Sequence, residues 1–432
     1  MMNKLLLLEL NEINFEFIEN YTKKYKLKNL NSLKTWNNFT TDCEKNYDQL
    51  EPWIQWVSVH TGKSLKNHKI FRLGDIHKYK GTQIFEKIKE MGFSVGAISP
   101  MNADLRMEKP DFFIPDPWTE SQTDGSFWSK RIYGVIRQVV NDNAQGKITL
   151  KNKIFLLSAL IKFAQKRNYI EYFQLALGVK KGKKWNKALF LDLFLFDIHT
   201  KLTKKNKTQF STLFLNSFAH IQHHYFFNSE FYNGSSANPA EHIKANFDPL
   251  HDAAVFIDKR IGDLTKSFKN YDFIIATGLS QTPFKGEKYY YRLIDHSNFL
   301  NLLNIKFSNV LPRMTRDFEI LFKNNIDRDK ALRKLKALVL EKHRIFNEIE
   351  IRDKSLFVTL SYGNNVKNND IINLENKFIT FSEHIVPVAY KNGEHSAKGF
   401  TFLSKRIKYK KMTQPVKVWK LNDIIVNYFT AI

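Results

Sequence analysis

Residues 4–25 read KLLLLELNEINFEFIENYTKKY, and the order of events in them decides the fold. KLLLLEL is an apolar run broken only by Glu9, the pattern of a strand buried on both faces. A polar cluster, Asn11 to Asn14, follows at once. INFEFIENYTKKY then has the spacing of an amphipathic helix. A buried strand, a loop able to face a ligand and a covering helix are the repeating unit of a parallel sheet.

The same unit recurs further along the chain. GTQIFEKIKEMGFSVGAISP, residues 81–100, reads as a helix stopped at Gly92 and a strand after it. TQFSTLFLNSFAH brings another buried strand, with a polar segment at Asn216–His224. DPLHDAAVFIDKRIGDLTKSF is a long amphipathic helix, YDFIIATG the strand after it, and PVKVWKLNDIIVNYF a small strand with a terminal helix. The expected class is therefore α/β, a mostly parallel sheet sandwiched by helices. Two stretches break the alternation. Residues 126–208 look helical with lysine-rich joints, a helical insertion or cap. Residues 284–390 mix a helix with short strands, a smaller α+β subdomain. The expected core then comprises 1–125, 209–283 and 391–432. Ligands of such sheets bind beyond the carboxyl ends of the strands. That rule selects Glu9–Asn14, Ser99–Asp104, Ser217–His224 and Thr277–Gln281.

Composition narrows the class of function. The chain has 432 residues, 43% hydrophobic and 14% aromatic, with 11 prolines, which is globular rather than disordered. Its 67 basic and 43 acidic residues give a net charge of +24. Such an excess suits anionic substrates, an anionic membrane surface or nucleic acid. Lysine far outnumbers arginine and is scattered, and no stacked-aromatic or arginine-rich pattern accompanies it, so nucleic acid is not the expected partner. Cys43 is the single cysteine, which excludes an internal disulfide or a thiolate metal cluster. The opening apolar run is too short and too soon interrupted for a signal peptide. IFLLSALIKF and ALFLDLFLF fall short of a membrane span. A cytoplasmic protein without a transmembrane segment is expected.

Five segments, in order, resemble the alkaline phosphatase superfamily, in its type I phosphodiesterase/nucleotide pyrophosphatase-like branch. They are LLLLELNEINFEFI (5–18), EPWIQWVSVHTGKSLKNHKIF (51–71), FLNSFAHIQHHYF (214–226), VFIDKRIGDL with YDFIIATGLSQ (255–264 and 271–281), and NGEHSAKGFTFLS (392–404). The likeness spans 5–100, 212–283 and 390–428 and leaves the two irregular stretches uncovered. It implies phosphoryl or sulfuryl ester hydrolysis by two divalent cations about 4 Å apart. The matching positions depart from that pattern. The opening Asp falls on Asn11, and the nucleophile on Pro52, or on Glu51 if one residue is inserted. The mid-chain Asp falls on Ala219, and the later Asp-His pair on Gly278 and Leu279. Two imidazoles survive, His223 and His395. The resemblance thus implies a reduced metal site holding one divalent cation, zinc or manganese, or none.

The candidate residues each carry two readings. His220, His223 and His224 put three imidazoles in five residues, either a ligand cluster or partly surface residues. His395 lies in GEHSAKG, whose glycines admit close backbone approach, or else an ordinary turn. Glu12, with Asn11 beside it, can hold a metal, act as a base or serve the helix dipole. Glu51 is either a catalytic carboxylate or a cap for a helix starting at Pro52. Gln281 can bond a ligand. Arg292, Arg313 and Arg316 offer anion forks or surface ion pairs.

These residues lead to one principal expectation. The resemblance implies an alkaline phosphatase-like hydrolase fold with an altered site that binds, and if catalytic hydrolyses, an anionic phospho- or sulfo-ester or a glycan-linked ester. His223 and His395 are the expected metal ligands, Glu12 and Glu51 the catalytic carboxylates, and Asn11, His220 and Gln281 the substrate contacts. The alternative is a catalytically inactive descendant that binds a ligand or partner.

Overall fold

The computed structural model describes residues 3–141, 149–240, 242–313, 316–374, 377–409 and 414–430. The opening run forms β1, Leu5–Leu10, with every residue buried. On either side of it lie β5, Phe210–Leu215, and β6, Asp272–Ala276, both parallel to it and equally buried. The sheet is completed by β2, Asn37–Asp42, β3, Val95–Ile98, β4, Phe112–Ile114, β9, Lys398–Leu403, and β10, Val416–Lys417. Its eight strands run in the order β10-β2-β9-β6-β1-β5-β3-β4. Only β9 is antiparallel to its neighbours. The α/β reading of the alternating pattern therefore holds. Two further strands, β7, Ser280–Pro283, and β8, Gly393–Ser396, form a small antiparallel ladder of their own.

The helices used below are α1, Phe15–Lys24, α2, Pro52–Thr61, α3, Ile84–Glu90, α4, Phe127–Asn141, α5, Leu150–Phe163, α6, Tyr169–Lys180, α7, Asn186–Asn206, α8, Ser217–Tyr225, α9, Pro249–Ser267, and α10, Lys420–Thr430. Local chemistry fixes their ends. The Asn14 side chain accepts from the Phe17 N–H and starts α1. Gln83 and Glu86 form a capping box on α3. Pro52 opens α2, and Gly62 closes it with a φ of +70°. One large apolar core joins Leu5, Leu7, Trp56, Phe85, Phe214 and Ile425.

The described residues fall into two compact units. The first contains the sheet and covers 1–140, 147–283 and 392–432, and the second includes 284–391. Within 126–208, the stretch expected as an insertion, α7 lies along β3 and β5, and His199 Nε2 stands 3.2 Å from Ser211 Oγ on β5. Residues 142–148 of that stretch lie outside the described residues. The second unit has a four-stranded antiparallel sheet, Asn309–Pro312, Asp317–Leu321, Glu348–Arg352 and Ser355–Thr359, and its own core around Phe299, Phe318 and Phe346. In it, Arg313 bonds Glu319 at 2.5 Å, the surface ion pair allowed for it, while Arg316 lies over the Tyr290 ring. Among the described residues, no helix is long and apolar enough to cross a membrane.

Candidate metal centre

The carboxyl ends of β1, β5 and β6 converge on the loop Asn11–Asn14. Glu9, still inside β1, turns into the core and meets His60 Nε2 at 2.9 Å, both fully buried. Asn11 also reaches α2, where it accepts from Trp56 Nε1, whereas Glu12 meets partners on other elements. The Asn11 N–H bonds the Leu215 carbonyl at the end of β5, and the Glu12 N–H bonds the Thr277 carbonyl beyond β6. Glu12 has a φ of +59°, in the left-handed region. That conformation costs a residue with a Cβ about 1–2 kcal/mol. It is held by the surroundings, since the Gln222 side chain accepts from the Asn14 N–H at 3.2 Å and donates to the Glu12 carbonyl at 2.7 Å.

The Glu12 carboxylate is the hub. It is 2% exposed, and its Oε2 lies 3.1 Å from His223 Nε2 and 3.1 Å from His395 Nε2. Gln281 donates its amide to the same oxygen, and Asn11 Nδ2 donates to Oε1 at 2.8 Å. Burial pushes the Glu12 acid up, but the His395 and His223 imidazoles outweigh it and hold the group well below the usual carboxylate range. His223 comes from α8 and His395 from β8, with ring centroids 5.1 Å apart. Close approach of β8 depends on Gly393, where a Cβ would stand 2.2 Å from Gln281 Oε1 and 2.9 Å from the Gln222 carbonyl oxygen.

The residues singled out from sequence divide. Glu12, His223 and His395 come together, with one ligand atom of each within 4.8 Å of the others. Glu51 precedes α2 but makes no side-chain cap, and its Oε2 lies 3.8 Å from His395 Nδ1. The capping reading of Glu51 is therefore not what its side chain does. Asn11 binds Glu12 and Asn216 and accepts from Trp56 Nε1 at 2.8 Å, so its contacts are to the protein. Gln281 is wholly buried and braces Glu12 and the Ala219 carbonyl. His220 packs against His224, with centroids 4.4 Å apart, and burial lowers its pKa to about 4. Sequence reasoning singled out neither Trp56 nor Asn216 nor Gln222 by itself, although Trp56 lies within a quoted motif and the other two within the polar segment Asn216–His224. It also passed over Tyr47, whose phenol is raised by partial burial and by the Glu394 and Glu51 carboxylates.

The donor set suits a cation. Ligands around one tetrahedral ion at about 2.0–2.1 Å stand roughly 3.3–3.5 Å apart. The 3.1 Å separations here need only a small expansion. A carboxylate oxygen and two imidazole nitrogens fit zinc or manganese. Gln281 and Asn11 supply the outer hydrogen bonds that orient a ligating carboxylate. Among the described residues Glu12, His223 and His395 are the one group of three such donors that converges.

No protein-family model matches the sequence, and no curated protein matches it. Among solved structures, phosphonoacetate hydrolase from Sinorhizobium meliloti 1021, in complex with phosphonoacetate, aligns with 99% of this chain and 96% of its own, at 10% identity and a TM-score of 0.46. Murine ectonucleotide pyrophosphatase/phosphodiesterase 5 aligns with 99% of this chain and 95% of its own, at 12% identity and a TM-score of 0.43. The human form gives the same values. At these scores the likeness fixes no activity.

Proposed function

We propose that the chain holds one divalent cation on Glu12, His223 and His395 and hydrolyses an anionic phospho- or sulfo-ester there. The observation that carries this reading is the meeting of Glu12, in the loop after β1, with His223 of α8 and His395 of β8 at 3.1 Å each. A zinc- or manganese-type ion bound there supplies Lewis acidity toward an ester oxygen. Glu51, at the positive end of the α2 dipole and beside His395, takes the proton of the attacking water. As the water oxygen bonds phosphorus or sulfur, the ester bond breaks, the leaving oxygen takes a proton from solvent and departs as the alcohol, and Glu51 returns its proton to solvent. Gln281 and Asn11 keep Glu12 from turning away. The left-handed backbone at Glu12 supports the reading, because strained backbone concentrates where geometry serves a site.

A second reading is a catalytically inactive ester binder. It is favoured by Glu51-Pro52, which places no hydroxyl at the start of α2, where the resemblance puts a nucleophile. Elemental analysis of the dialysed full chain, with turnover of nitrophenyl phosphate, phosphodiester and sulfate, separates the two. A single ion per chain that is lost in His223→Ala and His395→Ala, with turnover lost in Glu51→Gln, supports hydrolysis. A retained ion without turnover supports the binder. No ion in the wild type after incubation with zinc or manganese sinks both cation-based readings.

A further inference from the structure

Helices α5 and α6 form the outer layer of the first unit, and both rest on α7. Each buries one face: Phe155, Ala159 and Phe163 on α5, where Phe155 and Phe163 also meet Trp128 of α4, and Tyr172, Leu175 and Gly178 on α6. The opposite faces are equally apolar and uncovered. Leu150, Ile154, Leu157 and Ile161 on α5, with Ile170 and Phe173 on α6, are 60% to 74% exposed. The α5 residues follow one another at steps of four, three and four, a single stripe along the helix. Isolated exposed apolar side chains are ordinary, but a stripe of large ones marks an interaction surface.

Charge identifies what the surface meets. Between residues 149 and 187 the chain has ten basic side chains and one acid, Glu171. That acid is already engaged by Arg260 at 2.8 Å, while Lys183 and Arg167 pair with Asp252 and Asp263 of α9, which leaves eight of the ten basic side chains to set the charge of this face. A second copy of the chain placed on this face would set two strongly basic segments against each other, which opposes association. A spanning orientation is excluded for these helices, since none is long and apolar enough. A short helix with a large apolar stripe flanked by lysines lies in the plane of a lipid interface.

We propose that the outer face of α5 and α6 docks on the surface of an anionic phospholipid bilayer. The six apolar side chains enter the boundary between headgroups and acyl chains, and the flanking lysines face the lipid phosphates. This inference rests on the outer helices alone and is independent of the cation centre.

The test is co-sedimentation of the full chain with vesicles of phosphatidylcholine alone or mixed with phosphatidylglycerol. The bound fraction should rise at least about tenfold with the anionic lipid, since each lysine near such a surface is worth a factor of about five at low salt. Ile154→Asp, Ile161→Asp and Phe173→Asp together should abolish binding while the circular dichroism stays native. If that variant misfolds, Ile161→Cys bearing an environment-sensitive fluorophore gives the second measurement, because the native cysteine, Cys43, is buried. Its emission should shift to the blue when anionic vesicles are added. Equal binding to neutral and anionic vesicles, unchanged binding of the triple variant, or an unshifted fluorophore overturns the proposal. So does sedimentation velocity showing a dimer that the triple variant dissolves, since a second copy would then cover the face.

Discussion

Glu12→Gln is the sharpest perturbation of the centre, because it changes charge and hardly changes volume. In the protein without a cation, Oε2 meets His223, His395 and Gln281, and Oε1 accepts from Asn11. An amide in its place loses the charge-assisted bonds and turns a donor toward donors, a cost of about 2–3 kcal/mol. The wild type also gains from cation binding. A free ion at a hundredfold its dissociation constant stabilises by about 2.7 kcal/mol, which for a unit of this size raises the Tm by roughly 4–6 °C. Differential scanning fluorimetry with and without zinc or manganese reads both effects. Glu12→Gln should begin several degrees below the wild type and show no rise with either cation. His343→Ala, exposed in the second unit, should rise as the wild type does. Glu12→Gly removes the same bonds but relaxes the φ of +59°, so it should recover about 1 kcal/mol without recovering the cation response. An equal rise in wild type and Glu12→Gln would refute the assignment of Glu12 as a ligand.

Further outcomes follow from other contacts. Trp56→Phe leaves the Asn11 acceptor without its 2.8 Å donor; it should cost about 1–3 kcal/mol in chemical denaturation and weaken zinc binding by roughly 10- to 100-fold in calorimetric titration. Gly399→Ala forces a Cβ to within 2.3 Å of the Gly278 carbonyl oxygen and of Thr41 Oγ1, so its urea midpoint should fall further than that of Gly134→Ala on α4, whose Cβ meets nothing within 4 Å. Burial lowers the pKa of His68 to about 4, so the unfolded chain takes up that proton first as pH falls. Stability should therefore decline from about pH 6.5 and have lost roughly 3 kcal/mol from this group by pH 4, followed by urea denaturation across that range.

The central strands and their order of use could be read from the sequence because burial on both faces leaves continuous apolar runs, as in Leu5–Leu8 and Phe210–Leu215. The two imidazoles could be read because motif spacing survives when other positions change. Side-chain direction could not. Nothing local distinguishes Glu9, which turns to His60, from Glu12, which turns to the centre; the difference is one of strand alternation and a left-handed residue. Asn11 and Gln281 read as ligand contacts because they are polar and lie at strand ends. Their amides are consumed by Glu12, a partner remote from Gln281 in the chain. Trp56 and Gln222 were hidden for the same reason, since each acts through a residue on another element.

One contact ties the outer helices to the centre. Asp192 of α7 is buried and accepts from the Asn216 and Ser217 N–H groups at 3.3 and 2.8 Å, where α8 begins. Burial raises its pKa to about 6, despite those hydrogen bonds. The rod on which α5 and α6 rest is therefore also the footing of the helix bearing His223. Deuterium uptake should show the two helices opening as one cooperative block, and a thermal loosening of that rod would carry an imidazole away from its carboxylate.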